Sequence, residues 1–166
     1  MVDIPTSPLL GVNLGQTSAG TSTAGAGAPQ ALGTTIFGSH GSVYQFVQAA
    51  VAINQYDVVS IDNNSQASGA TPATLATGAT SIGFAQAAFA QYDYGWVALQ
   101  GSQLTVNVSA TSTLAVQLYA ATTTGKLSTT ASSGTLVGVA ILTASTTAVV
   151  GTTLAVVSYP QTRAFG

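Results

Sequence analysis

The chain has 166 residues, of which 46% are apolar, so it can fold as one domain with an extension. Only 4% of the residues are charged, against about 25% in ordinary soluble domains, and the formal net charge is −2. Nucleic-acid binding needs several Lys or Arg side chains to neutralise phosphates, so two basic residues exclude nucleic acid and anionic membranes as partners. The absence of cysteine excludes disulfides and thiolate metal sites. So few charges favour a chain packed against copies of itself or a partner, because surface charge keeps free proteins apart; a neutral secreted β-protein is the alternative.

Residues 1–41 differ in composition from the rest of the chain. They hold three of the five prolines, and residues 16–29 are almost entirely Thr, Ser, Ala and Gly. Such a segment cannot bury enough apolar surface to offset the entropy lost on ordering. Apolar residues flank it and are candidate contacts with a neighbouring molecule: Leu9, Leu10, Val12, Leu14, Ile36 and Phe37. We predict an extended N-terminal arm that docks on a neighbour, with a disordered tail as the alternative.

From residue 42 onward, alternating apolar and polar residues predict strands. Residues 43–47 (VYQFV) alternate with the period of a strand that has one buried face. A helix over residues 45–52, where alanines cluster, is the alternative. Further strands are predicted over residues 58–61, 82–90, 96–100, 103–108, 114–120, 136–143 and 153–159, with turns at 54–57 and 91–95 and a polar loop at 63–80. Residues 134–159 are uncharged and long enough to span a bilayer, but their Val and Thr content favours two strands instead.

A weak internal repeat relates two parts of this region. Residues 81–85 (SIGFA) resemble residues 136–140 (LVGVA), and a short predicted strand precedes each. Two such units closing on one another would leave no long open sheet edges.

These patterns predict an all-β fold. The expected architecture is a small antiparallel β-barrel or sandwich over residues 42–162, with the extended arm at residues 1–41 and a short tail at residues 163–166.

The polar residues do not form a recognisable catalytic motif. A Ser-His-Asp triad would need the single histidine, His40, which lies in the glycine-rich arm, together with Asp57 or Asp62. We expect both aspartates to accept hydrogen bonds from turn backbone. The segment 62–64 (DNN) lacks the glycine and glutamate of a calcium loop, and Gly125-Lys126 lacks the other residues of a phosphate loop. We predict no catalytic, cofactor or metal site, and no enzymatic activity.

The only tryptophan lies in an aromatic stretch. Tyr92, Tyr94 and Trp96 recur with period 2, so they are predicted to share one face of a strand. Such a face could stack on a sugar ring, which makes a carbohydrate-binding β-module an alternative function. We interpret the three residues as core or subunit packing.

Several short motifs resemble the capsid decoration (cement) proteins of tailed bacteriophages. They are Ile53-x-x-x-Asp57-Val58-Val59, Ile82-Gly83-x-Ala85, Tyr94-Gly95-Trp96-Val97, Leu104-x-Val106, Leu118-Tyr119 and Val137-Gly138-Val139-Ala140. The similarity covers roughly residues 42–159, and the chain departs from those proteins in its low charge. The resemblance implies a non-enzymatic structural protein of the virion, a homotrimer on the capsid surface whose partner is the major capsid protein. A tail or fibre component of the virion is the alternative.

Overall fold

The computed structural model describes residues 14–38, 41–77, 81–109, 118–128, 136–137, 139–141 and 151–158. These ranges contain eleven strands and one short helix. In chain order they are β1 (Thr35–Phe37), β2 (Val43–Ala49), β3 (Val58–Ile61), β4 (Gln66–Gly69), α1 (Pro72–Thr77), β5 (Ser81–Ala85), β6 (Tyr94–Val108), β7 (Leu118–Ala120), β8 (Leu127–Ser128), β9 (Leu136–Val137), β10 (Val139–Ile141) and β11 (Gly151–Val157). The predicted all-β class is confirmed.

Five strands form a closed barrel in the order β2, β4, β3, β5, β6. β2 pairs in parallel with β4, and the pairs β4–β3, β3–β5 and β5–β6 are antiparallel. Antiparallel pairing of β6 with β2, in a register that places Phe46 opposite Trp96, closes the ring. The predicted small barrel is therefore confirmed, and closure satisfies the backbone hydrogen bonds that an open sheet would leave at its edges.

Small and branched side chains fill the interior of the barrel. This interior cluster consists of Val47, Ala49, Ile53, Val59, Ile61, Ala67, Ala85, Phe89 and Val97. Gly83 lies among them, because a Cβ at this position would come within 3.0 Å of Val97 Cγ2 and 3.3 Å of Ile61 Cδ1. A five-strand ring is narrow, which explains why alanine, valine and glycine dominate its inner face.

A second apolar cluster covers the outer face of the same strands, because successive residues of a strand point to opposite sides. Its members include Tyr44, Phe46, Phe84, Tyr94 and Trp96 from the barrel and Leu104, Val106, Leu118, Leu127 and Val157 from the second half of the chain. Four partly buried residues outside the barrel pack against it: Leu14, Ala28, Leu32 and Ile36. The outer face of the barrel is thus the place where the two halves of the chain meet.

The long strand β6 connects the two halves and corrects the sequence prediction of two strands over residues 96–100 and 103–108. It runs without interruption for 15 residues. Gly101 lies inside it, opposite Val157 of β11, and the Leu104 side chain occupies the space beside the glycine. The glycine lets the Leu104 side chain lie close to the backbone of the strand, and it does not form a turn.

Strands of the second half of the chain pair with the later part of β6. β6 pairs in parallel with β8, β8–β7 and β7–β9 are antiparallel, and so are β10–β11 and β11–β6. β8 and β11 therefore both pair with β6 within its residues 101–108.

The predicted polar loop over residues 63–80 is wrong, because it contains β4 and α1. Thr71 caps the helix: its Oγ1 accepts a hydrogen bond from Thr74 N at 3.2 Å, and Thr71 N donates to Thr74 Oγ1 at 2.8 Å. Proline at the first helical position suits this start, since its missing N–H is not needed there. None of the described helical structure has the length and apolarity to cross a bilayer. The alternative of a helix over residues 45–52 is also wrong, since β2 occupies most of this range.

Candidate functional site

Three aromatic rings form a buried face on the outside of the barrel. The ring of Phe46 stacks on Tyr94 with a centroid distance of 6.1 Å, and it meets Trp96 at 5.2 Å with a tilt of 57°. Tyr94 and Trp96 are 0% and 4% exposed. The cross-strand pair of Phe46 with Trp96 explains this contact, because opposite residues of antiparallel strands lie side by side on one face.

Residues 14–28, called here the covering segment, lie over this aromatic face. Ser18 and Tyr94 exchange two backbone hydrogen bonds, of 2.8 and 2.7 Å. The Tyr94 hydroxyl donates to Ala26 O at 2.8 Å, and Gln48 Nε2 donates to Thr21 O at 2.9 Å. The face that could have stacked on a sugar is therefore covered by backbone of the same chain.

The small residues of the covering segment allow this close contact. A Cβ at Gly20 would collide with the backbone carbonyl oxygen of Tyr92 and with the Tyr94 ring. Backbone can approach an aromatic surface this closely only where no side chain intervenes. The low-complexity composition that predicted an extended arm thus serves, in residues 14–28, as a thin layer over the barrel.

Tyr92 does not share the strand face of Tyr94 and Trp96, which corrects the sequence prediction. It precedes β6 in a turn with φ of +71°, its N–H donates to Ala49 O at 2.7 Å, and its carbonyl accepts from Gln48 Nε2 at 3.1 Å. The period-2 pattern therefore begins at Tyr94, where the strand begins.

The six arm residues predicted to contact a neighbour are in different situations. Leu9, Leu10 and Val12 lie outside the described residues. Leu14 and Ile36 pack against the second apolar cluster of their own chain. Phe37 is 72% exposed and is the most exposed large apolar side chain of the described residues.

The described aspartates accept hydrogen bonds within turns, as predicted for Asp57 and Asp62. Asp62 Oδ1 accepts from Asn64 N at 2.8 Å and from Gln66 N at 2.9 Å. Asp93 Oδ2 accepts from Ala90 N at 3.1 Å. These carboxylates hold local backbone in place and do not converge on a common site. Asp3 and His40, the other candidates considered for acid–base chemistry, lie outside the described residues.

Asp57 has a second role that the sequence did not indicate. It is 3% exposed, its Oδ2 accepts from Asn54 N and Nδ2 at 3.2 and 3.1 Å, and its Oδ1 accepts from Asn107 Nδ2 at 2.9 Å. Since Asn107 belongs to the second half of β6, one carboxylate joins a turn of the barrel to the other half of the chain.

A turn of the second half closes over the same carboxylate. Gly125 N donates to Ala70 O at 2.9 Å, and Gly125 O accepts from Val58 N at 2.8 Å. A Cβ at Gly125, whose φ is +75°, would collide with the carboxylate of Asp57. We call Asp57, Asn107 and Gly125 the junction. No local sequence pattern could predict what this turn contacts.

Within the described ranges, no three His, Cys, Asp or Glu side chains lie close enough together to hold a metal ion. The side chains described above pack in the two clusters, accept hydrogen bonds in turns and connect the barrel to the second half of the chain. No protein-family model, curated protein or solved structure matches the chain.

Proposed function

We propose that this chain is a non-enzymatic structural protein of a bacteriophage virion that binds the outer capsid surface and stabilises the shell, as decoration (cement) proteins do. The observation that carries the proposal is the surface of the described residues. It is nearly uncharged and exposes three large apolar side chains, Phe37, Val51 and Leu154, while the described carboxylates are engaged in turns and at the junction. A surface with so little charge suits burial against other proteins better than existence as a free monomer, because surface charge keeps free proteins apart.

The partners in this proposal are the major capsid protein and further copies of the chain in a homotrimer. A standard protein interface buries about 1,600 Å² in total, and several such contacts around a trimer would resist outward pressure without any catalytic group. Leu9, Leu10, Val12 and Phe37 are the arm residues proposed to contact the shell. Leu14 and Ile36 anchor the arm on its own barrel, because both pack on the second apolar cluster.

The proposal is tested with capsids that lack the protein. Purified chain added to such capsids is expected to co-sediment with them and to raise the temperature at which they break open, because binding only to the intact shell stabilises it. Native mass measurement is expected to give a trimer.

Two variants separate the arm from the rest of the protein. The triple variant Leu9→Ser, Leu10→Ser and Val12→Ser is expected to lose most of the capsid binding. The matched control Thr122→Ser, Thr123→Ser and Thr124→Ser changes three exposed residues outside the arm and should bind normally. Normal binding by the triple arm variant would contradict the role of the arm, and failure of the unmodified chain to bind would contradict the proposed function itself.

A further inference from the structure

Two turns of the barrel share the sequence Gln-Tyr-Asp. Residues 55–57 form one of them, before β3, and residues 91–93 form the other, before β6. Tyr56 and Tyr92 both have a φ of +71°, which is uncommon for a residue with a side chain. The same sequence therefore adopts the same backbone conformation twice.

The two turns also make the same hydrogen bonds. The tyrosine N–H donates to the alanine carbonyl that ends a neighbouring strand, the aspartate accepts from the N–H three residues before it, and the glutamine donates to the carbonyl that follows the alanine. In the first turn these bonds are Tyr56 N to Ala85 O, Asn54 N to Asp57 Oδ2 and Gln55 Nε2 to Gln86 O, at 2.7, 3.2 and 2.9 Å. In the second turn they are Tyr92 N to Ala49 O, Ala90 N to Asp93 Oδ2 and Gln91 Nε2 to Ala50 O, at 2.7, 3.1 and 3.1 Å.

Ile53 and Phe89 lie between the two turns. They exchange two backbone hydrogen bonds, of 3.0 and 2.9 Å, and each lies three residues before the tyrosine of its own turn. Residues 49–58 and 85–94 are therefore two copies of one unit, related by an approximate two-fold axis that passes between Ile53 and Phe89. The axis gives this end of the barrel two equivalent sides. The first side consists of residues 55–57 and 86–87, and the second side consists of residues 91–93 and 50–51.

The second half of the chain covers the first side. Asp57 Oδ1 accepts a hydrogen bond from Asn107 Nδ2 on β6 at 2.9 Å. Asp57 and Ala87 are only 3% and 8% exposed. The first side thus shows what kind of structure fits this surface, namely an uncharged strand that donates an amide N–H to the carboxylate.

The second side has no such cover among the described residues. Val51 takes the place of Ala87 and is 46% exposed. Asp93 takes the place of Asp57 and is only partly buried, and its Oδ1 accepts a hydrogen bond from none of the described residues. The covering segment bonds to Tyr94, the next residue, and leaves this oxygen without a donor.

We propose that the second side binds a strand of the shell protein through Asp93 and Val51. This inference rests on the proposed function and names the part of the barrel that meets the shell. The shell strand donates a backbone or side-chain N–H to the open oxygen of Asp93, as Asn107 does to Asp57, and covers Val51 with an apolar side chain. A carboxylate accepts strong hydrogen bonds and is costly to bury without a donor, so the partner has to present an N–H at this position.

A second copy of the chain does not offer the same elements for this contact. Its Asn107 is bonded to its own Asp57, and its Thr105 O accepts from its own Gln86 Nε2 at 3.1 Å. Copies in the proposed homotrimer therefore meet through other surfaces, which leaves the second side for the shell.

Capsid binding by the full chain with matched substitutions tests the role of Asp93. Asp93→Asn keeps an oxygen for Ala90 N but turns the open acceptor into a donor, so it is expected to raise the dissociation constant for the capsid about tenfold or more. The control Asp62→Asn removes the same charge from another turn aspartate, whose Oδ1 accepts both of its hydrogen bonds, and it should bind normally. Equal binding by Asp93→Asn and the unmodified chain overturns the inference and leaves the proposed function standing, whereas no binding by the unmodified chain overturns both.

Crosslinking tests the position of Val51 independently. Because the chain contains no cysteine, Val51→Cys provides a single site for a photoactivated label. On capsids, this label is expected to crosslink to the shell protein, whereas a label on the control Thr123→Cys, at another exposed position, is not. Crosslinks from residue 51 only to other copies of the chain, or none from the bound chain, would overturn the inference.

Discussion

Single residues at the junction show how the two halves of the chain are held together. Asp57 binds the turn that contains Asn54 and also reaches Asn107 on β6. Gly125 closes over the same carboxylate and bonds to Val58 and Ala70. A buried carboxylate is stable only when its oxygens are hydrogen-bonded, so each partner contributes to keeping the others in place.

Substitution of Gly125 by alanine is expected to lower the free energy of unfolding by about 3 kcal/mol or more. The alanine would have to keep a positive φ, which is strained for a residue with a side chain. Its Cβ would also displace the Asp57 side chain. Gly27→Ala is the matched control, because its φ of +74° is nearly the same and no atom lies within 4 Å of the added carbon. Its expected loss is about 1 kcal/mol, from backbone strain alone. Urea denaturation of both variants gives the comparison, and equal losses would show that the contact with Asp57 contributes nothing.

At the scale of elements, the covering segment stabilises the barrel by closing its aromatic face. Its contacts with Tyr94 and Gln48 are made mainly by backbone atoms of Ser18, Thr21 and Ala26. A segment of Ser, Thr, Ala and Gly can therefore become ordered without large apolar side chains of its own, because the barrel supplies the apolar surface.

Ser18→Pro is expected to destabilise the protein by about 1–2 kcal/mol, because it removes the N–H that donates to Tyr94 O. Ala19→Pro is the control, since proline favours extended backbone at the preceding residue, and Ser18 is already paired as a β-bridge. Thermal unfolding and tryptophan fluorescence report the result, since Trp96 lies in the covered face. Equal destabilisation by both prolines would contradict a specific role for the Ser18–Tyr94 pair.

Local patterns predicted some elements and failed on others for identifiable reasons. β2 and β3 follow alternation or a short apolar run bounded by turns, and the prediction of residues 58–61 matches β3. β4 was missed because its sequence, QASG, has no apolar alternation; it forms a strand because the narrow barrel accepts small residues there. β6 was predicted as two strands, 96–100 and 103–108, whereas pairing with β2 and β11 keeps the strand continuous through Gly101.

At the scale of the whole molecule, the barrel and the second half of the chain share β6. The barrel uses its first part, and β11 pairs with the part from Gly101 onward. Along β6, Val97 belongs to the interior cluster, whereas Val106 belongs to the second cluster on the opposite face. One strand thereby contributes to both apolar clusters.

Stability of the whole molecule is expected to depend little on salt. The chain has four acidic and two basic residues, so few charge–charge interactions are available for screening. We expect the urea midpoint to change little between about 20 mM and about 500 mM NaCl, although the higher concentration screens charge–charge interactions strongly. A midpoint that shifts markedly over this range would contradict the prediction, because it would show that charge–charge interactions contribute substantially to stability.

The sequence by itself determined the all-β class, the strands with clear alternation, the turn aspartates and the near absence of charge, because each of these depends on neighbouring residues or on composition. Tertiary structure alone decided that five strands close into a barrel, that residues 14–28 cover the aromatic face, that Gly125 meets Asp57, and that Phe37 remains exposed on an open edge. These features join residues far apart in the chain. Burial and backbone pairing across such distances depend on the complete fold, and no local pattern encodes them.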